Sequence, residues 1–303
     1  MKISKILFVL ALLSVLLIGG TPNFDGNKSY EYLKKQTEFG PRNPGSIGYK
    51  NCKEWLINFS ESNSDKVILQ NFIGTDPKTD EKIPMTNIIT RFNPEQTDRI
   101  MLSAHWDTRP WADARNSKTK RDKPISGAND GASGIAVLLH IMELINENDL
   151  DFGVDIILWD GEDIGREGHP YEFCQGSRYY SNNIIEPKPQ EGILLDMIGD
   201  ADLEIPFEVN SMNINSNLMI DIWNIASHLN YGNIFIKQYG PEMYDDHMPL
   251  SYIADIPTID IIDFKYPNEN KNYWHTHDDT ADKCSARSLK IIGDVLVYWL
   301  YNK

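Results

Sequence analysis

Hydrophobic and polar positions change period repeatedly along this chain, and each change marks an element. Between residues 29 and 63 apolar positions recur at helical spacing in two stretches, parted by Phe39-Gly-Pro-Arg-Asn-Pro-Gly45; this predicts helix, loop, helix. Short runs rich in Ile, Val and Leu at 67–72, 86–92 and 99–104, with turn residues between them, predict strands. A helical pattern covers 134–146, a β-rich run covers 154–159, a short helix is expected at 177–181, and a further apolar run covers 192–198. The rhythm goes on with a helix at 216–229, strands at 234–237 and 256–262, and a closing helix at 285–301.

Strand and helix alternate, so the expected fold is α/β: a central mixed, largely parallel twisted sheet with helices on both faces. No linker or internal repeat interrupts the pattern, and residues 24–303 read as a single catalytic domain, since α/β folds often reach this size undivided. The first twenty residues stand apart. Lys2 and Lys5 precede an apolar run over 6–18, followed by Gly19, Gly20 and Thr21, the order of a secretory signal peptide over residues 1–20. That run falls short of the roughly 18 to 20 residues needed to span a bilayer, so no stable membrane anchor is expected. The chain is read as exported, either periplasmic or secreted.

Charge narrows the partners. Lys and Arg total 29 against 44 Asp and Glu, a formal charge of -15, which argues against nucleic acid and anionic lipid and favours a cationic or neutral partner. The three cysteines, Cys52, Cys174 and Cys284, allow one disulfide with a thiol left over, or three buried reduced thiols.

In a sheet of this kind a site forms beyond the carboxyl ends of the strands. The residues there are His105 and Asp107, Asp130, Asp160 with Glu162 and Asp163, Asp196, Asp245 with Asp246 and His247, and His275 with His277. Any one of them alone is accounted for by a helix cap or a turn acid. Their recurrence after almost every strand is not. A mixed imidazole and carboxylate set without paired Cys suits a catalytic zinc, which keeps one position open beside three protein ligands; calcium prefers oxygen alone. Ser177 lies in no Gly-x-Ser-x-Gly elbow, so the nucleophile is expected to come from water or substrate. Glu162 and Asp163 are adjacent, and a sharp turn after the strand would let one hold metal while the other shuttles a proton.

The ordered motifs Phe39-Gly-Pro-Arg-Asn-Pro-Gly-Ser46, Ser103-Ala-His-Trp-Asp-Thr108, Gly127-Ala-Asn-Asp-Gly-Ala-Ser-Gly134, Trp159-Asp-Gly-Glu-Asp163, Leu194-Leu-Asp-Met-Ile-Gly199, Asp245-Asp-His-Met-Pro249 and Trp274-His-Thr-His-Asp-Asp279 extend over most of the chain. Through them the sequence resembles the metal-dependent glutaminyl cyclases, which share the fold of zinc aminopeptidases. The resemblance implies a single zinc held by Asp130, Asp163 and His275, with Glu162 as proton shuttle, Asp196 and Asp245 positioning the reacting groups, and Trp274 as a wall of the substrate pocket. It implies peptides and proteins with N-terminal glutamine as substrates and pyroglutamate and ammonia as products. Two departures stand out. Asp163 occupies a ligand place where the family usually has Glu, and a second pocket Trp expected just beyond it is missing, with Tyr171, Phe173 and Trp111 as candidates to replace it. His247 and His277 are expected to support loops. His105 matches a ligand of the second zinc in aminopeptidases, with Asp196 as its partner, so ligand inventory leaves a two-zinc aminopeptidase as the rival. A metal-binding adhesion or receptor domain without catalysis is a third reading, against which the intact Glu162 weighs. A metal count separates the first rival and any turnover removes the second.

Overall fold

The computed structural model describes residues 20–114, 121–268 and 270–303. The export segment expected over 1–20 lies outside these residues except for Gly20. Helices α1 (Gly26–Glu38) and α2 (Ile47–Ser62) come first, capped by the side chains of Asp25 and Ser46, and are followed by strands β1 (Lys66–Thr75), β2 (Lys82–Phe92) and β3 (Arg99–His105). Then come α3 (Ala132–Glu147), β4 (Gly153–Trp159), α4 (Gln175–Asn182), β5 (Gly192–Asp196), β6 (Ile205–Phe207) and α5 (Val209–His228). The chain closes with β7 (Phe235–Tyr239), α6 (His247–Tyr252), β8 (Thr258–Ile262), the short pair β9 (Pro267–Asn268) and β10 (Lys271–Asn272), and α7 (Ala286–Tyr301), whose N-cap is Ser285.

The main sheet has the order β1-β2-β4-β3-β5-β8. Its last four strands run parallel, and the hairpin β1–β2 joins them antiparallel through β2 and β4. The fold is thus the mixed, largely parallel α/β domain expected. Alternation along each strand divides the core: Ile100, Leu102 and Ala104 face a large cluster under α1, α2, α3, α5 and α7, while Met101, Ile157 and Trp159 face a smaller one that includes Tyr180 of α4 and Leu250 of α6. Helix α3 is mostly apolar and buries nearly all its residues, as a helix packed between sheet and outer helices must, with only its C-terminal end reaching solvent.

Several boundaries differ from the periodicity for physical reasons. The strand expected at 234–237 forms, but outside the main sheet: β7 pairs with the three-residue β6, and only Phe235 of its residues is buried. Pro257, which has no N–H to give a ladder, moves the start of β8 to Thr258. The helix expected from 216 is the second part of α5, since Asn215 leaves helical geometry (φ -145°, ψ 71°) and its side chain caps the Leu218 N–H. Helix α6 was too short to give a period. All three cysteines are free and buried. No helix among the described residues is long and apolar enough to cross a membrane.

A buried ionic cluster ties the middle of the sheet. Arg91 of β2 and Arg99 of β3 both pair with Asp155 of β4, the first at 3.1 Å, and all three are buried. Replacing Asp155 by Ala leaves two guanidinium groups without their counter-charge and is expected to cost about 3–5 kcal/mol. Urea unfolding should show the loss as a lower midpoint at unchanged slope.

Candidate metal centre and active site

Because β4, β3, β5 and β8 are parallel, their carboxyl ends share one edge, and the expected chemistry gathers there. Asp130 precedes α3, where Gly131 has φ 100° and an added Cβ would lie 2.7 Å from the Asp107 carbonyl oxygen. The Asp279 carboxylate accepts hydrogen bonds from the Asn129 and Asp130 N–H groups at 2.8 and 3.2 Å, and from the Tyr266 hydroxyl at 2.8 Å. Asp107 does the same for the loop after β4, accepting from Glu162 N–H at 3.1 Å and Asp163 N–H at 3.2 Å. Two carboxylates whose own roles are structural therefore fix the main chain of three candidate site residues.

The turn at Gly161 (φ 70°) sends the adjacent side chains to different groups. Asp163 joins Asp130 and His275, with potential ligand atoms all within 4.8 Å of one another, and Glu162 joins Cys174 and Asp245 in the same sense. His275 Nε2 lies 3.1 Å from Asp163 Oδ1 and 3.6 Å from Asp130 Oδ2. Its backbone is left-handed (φ 54°), a conformation such a residue holds only where its surroundings enforce it, and its ring stacks on Trp274 at 3.6 Å between centroids. A third group, His105 with Asp130 and Asp196, shares Asp130: His105 Nε2 stands 3.2 Å from Asp130 Oδ1 and 3.2 Å from Asp196 Oδ1.

These residues border a cavity of about 300 Å³. Asp130, Glu162, Asp163, Asp196, Asp245 and His275 form its polar part, and Trp274, Phe264, Phe173, Tyr244, Met197 and Met243 its apolar walls. Of the aromatics considered for the missing Trp, only Phe173 reaches it: Tyr171 is largely exposed, and Trp111 is buried elsewhere against Phe72, Met85 and Ile164. His247 is buried in α6 with Nε2 3.5 Å from Glu208, and neither it nor His277 belongs to a ligand group. Sequence reasoning missed Cys174, whose thiol is 3.6 Å from Glu162 Oε1, and Arg109 with Asp113, which lie in a loop with no period to single them out.

The electrostatics call for a cation. Burial, and then the charge of Asp163, push the Asp130 carboxyl well above its ordinary range; burial does the same to Glu162 and Asp245, where neighbouring carboxylates add to it. Burial would raise Asp163 as well, but His275 and Arg109 outweigh it and hold that carboxyl low. Asp130 Oδ2 and Asp163 Oδ2 are buried with no hydrogen-bond partner. Orphaned carboxylate oxygens beside an imidazole, within ligand range and with surplus negative charge around them, fit a divalent metal ion.

Gly131→Ala is expected to be costly even though the added group is a single methyl. The left-handed backbone and the Asp107 carbonyl both oppose it, at about 1–3 kcal/mol, measurable as a shift of the urea midpoint. An unchanged midpoint would mean that the turn before α3 is not held as tightly as its contacts imply.

Known proteins share this fold. Residues 87–300 match the family described as peptidase family M28. A Bacteroides thetaiotaomicron glutaminyl cyclase bound to N-acetylhistamine superposes with a TM-score of 0.89, at 34% identity over 94% of this chain and 100% of that one. A Zn-dependent exopeptidase from Parabacteroides distasonis superposes equally well, TM-score 0.89, at 32% identity with the same coverage, 94% and 100%. The glutaminyl-peptide cyclotransferase of Drosophila melanogaster is 22% identical over 283 residues, 83% of this chain and 75% of that one. The chain is an enzyme that belongs to peptidase family M28, with glutaminyl cyclases and zinc exopeptidases among its relatives.

Proposed function

We propose that this enzyme is an exported, zinc-dependent glutaminyl-peptide cyclotransferase, which converts the N-terminal glutamine of peptides and proteins to pyroglutamate and releases ammonia. The observation that carries the reading is the joining of two features in one cavity: the Asp130–Asp163–His275 group, and beside it Glu162 with Asp245 under a wall formed by Trp274 and Phe264. Relatives named as glutaminyl cyclases support the choice of reaction.

Asp130, Asp163 and His275 would hold one zinc. When bound, the ion supplies Lewis acidity toward the side-chain amide oxygen of the substrate. The α-amine of the substrate attacks that amide carbon, so a new C–N bond closes the five-membered ring and the bond to the departing nitrogen breaks. Nucleophile and electrophile belong to one molecule, and the apolar walls need only hold it folded. Glu162, grouped with Asp245 in the same cavity, takes a proton from the amine and delivers it to the leaving nitrogen as ammonia. Asp245 and Asp196, on the same cavity wall, orient the amine and the leaving group, and Trp274 lies against the substrate side chain.

A second reading has a specific observation in its favour. The His105–Asp130–Asp196 group shares Asp130 with the first, which is the arrangement a two-zinc aminopeptidase would use, with Glu162 activating water. Incubating a Gln-starting peptide and recording its mass separates them: loss of ammonia supports the cyclase, loss of a residue the peptidase. Elemental analysis is expected to give about one zinc per chain, and two equivalents both needed for activity would favour the peptidase.

The adjacent acids test the division of roles. Glu162→Gln should retain zinc while turnover falls about 10²- to 10⁴-fold, the scale of a lost general acid and base. Asp163→Asn should weaken metal binding, because a neutral amide is a poorer ligand than a carboxylate, and added zinc should restore part of its rate. If Glu162→Gln loses the metal and Asp163→Asn keeps it, the roles are exchanged.

A further inference from the structure

Arg109 is fully buried against the ligand group, on no part of the cavity wall. Its Nη1 donates to both the main-chain oxygen and Oδ1 of Asp163, each at 3.1 Å. Its Nε and Nη2 donate to the two carboxylate oxygens of Asp113, each at 2.7 Å. Asp113 Oδ1 in turn stands 3.6 Å from Nδ1 of His275, whose Nε2 is 3.1 Å from Asp163 Oδ1. The contacts close a ring, Asp163–Arg109–Asp113–His275. Asp113 is itself held by the Trp111 indole N–H at 2.7 Å, and the Ala114 N–H donates to the His275 carbonyl oxygen at 3.4 Å.

A buried guanidinium touching a ligand carboxylate competes with a metal ion for the same charge, so on charge alone it weakens the centre. Its geometry does the opposite. The planar fork binds Asp113 through two parallel hydrogen bonds, which fixes its orientation. From that fixed position it grips Asp163 by main chain and side chain at once. This matters more for Asp than for Glu, because a shorter ligand reaches the metal only if its main chain is held at the right place. We propose that Arg109 and Asp113 are positioning residues that set the affinity of the Asp130–Asp163–His275 group for zinc by fixing Asp163 and His275 relative to each other. The inference rests on the proposed metal centre.

The test is zinc affinity by chelator competition on the purified chain, stripped of metal and reloaded, with the absorption of the cobalt(II)-substituted protein as a second readout of ligand geometry. Arg109→Met and Asp113→Asn are each expected to raise the zinc dissociation constant about 10- to 100-fold, the usual effect of losing an outer partner of a ligand, and to alter the cobalt spectrum. The double variant should bind no more weakly than the weaker single variant, because the two side chains act as one unit. Zinc affinity that is unchanged or tighter in both single variants overturns the proposal, as do losses that simply add in the double variant. Should Arg109→Met not fold, Asp113→Asn tests the ring by itself, since that side chain is 23% exposed and keeps its shape. His275→Ala is the control for the centre. If it holds zinc as tightly as the unaltered chain, the ligand assignment fails; if it loses zinc while the ring variants do not, the ring alone fails.

Discussion

Negative charge gathered at one buried place is the constraint on which this structure turns. Asp130, Glu162, Asp163, Asp196 and Asp245 border one cavity, and burial opposes the ionised forms of Asp130, Glu162 and Asp245. A fold can sustain this only by supplying donors and cations from outside the cavity. Asp107 and Asp279 accept the main-chain N–H groups of Glu162, Asp163 and Asp130, which fixes three backbones, and Arg109 donates to the Asp163 carboxylate. Positive charge comes from Arg109 beside Asp163, and the orphaned Oδ2 atoms of Asp130 and Asp163 would suit a divalent ion.

The scaffold follows from the same need. Four parallel strands bring their carboxyl ends to one edge, and α3, buried over nearly all its length, gives Asp130 a rigid support. Gly131 makes the approach to that helix, because the Asp107 carbonyl passes where any side chain would sit. At the other end of the site, left-handed His275 is kept in place by the stacked Trp274 ring and by contacts from the 113–114 segment. Strain at His275 is thus balanced by packing, as is usual where a side chain must be aimed rather than merely buried.

Much of this was legible before any coordinates. Strand and helix alternate in period, so the α/β class and most elements followed from where apolar residues fall, and the rule for parallel sheets led from there to His105, Asp130, Glu162, Asp163 and Asp196. What was not legible depends on contacts distant in sequence. Nothing local to 235–239 says that the strand leaves the main sheet for β6, and six-residue α6 is too short to show a helical period. Choosing among Tyr171, Phe173 and Trp111 needed the course of the loop after Asp163, which turns Phe173 inward and leaves Tyr171 in solvent. Arg109 and Asp113 lie in a loop with no period to single them out, and their importance appears only once His275, far along the chain, folds back against them.

Charge balance also bears on which molecule the cavity can take. The cavity wall carries the carboxylates of Asp130, Glu162, Asp163, Glu167, Asp196 and Asp245 beside the His275 imidazole. A divalent ion bound there would offset only part of that charge. What remains belongs to Glu162, Asp196 and Asp245, and Trp274 and Phe264 line the same cavity, so its wall combines anionic and apolar surface. A ligand complementary to both presents a positive or proton-donating group next to an uncharged side chain with a modest apolar body, and an anionic group is rejected. The amino end of a peptide that begins with glutamine has this form: an ammonium that the carboxylates attract and can deprotonate, joined through two methylenes to a neutral amide. Under the proposed cyclase reading, a peptide that begins with Glu would place a carboxylate among carboxylates, so the charge that makes the centre hard to bury would also disfavour the acid relative to the amide.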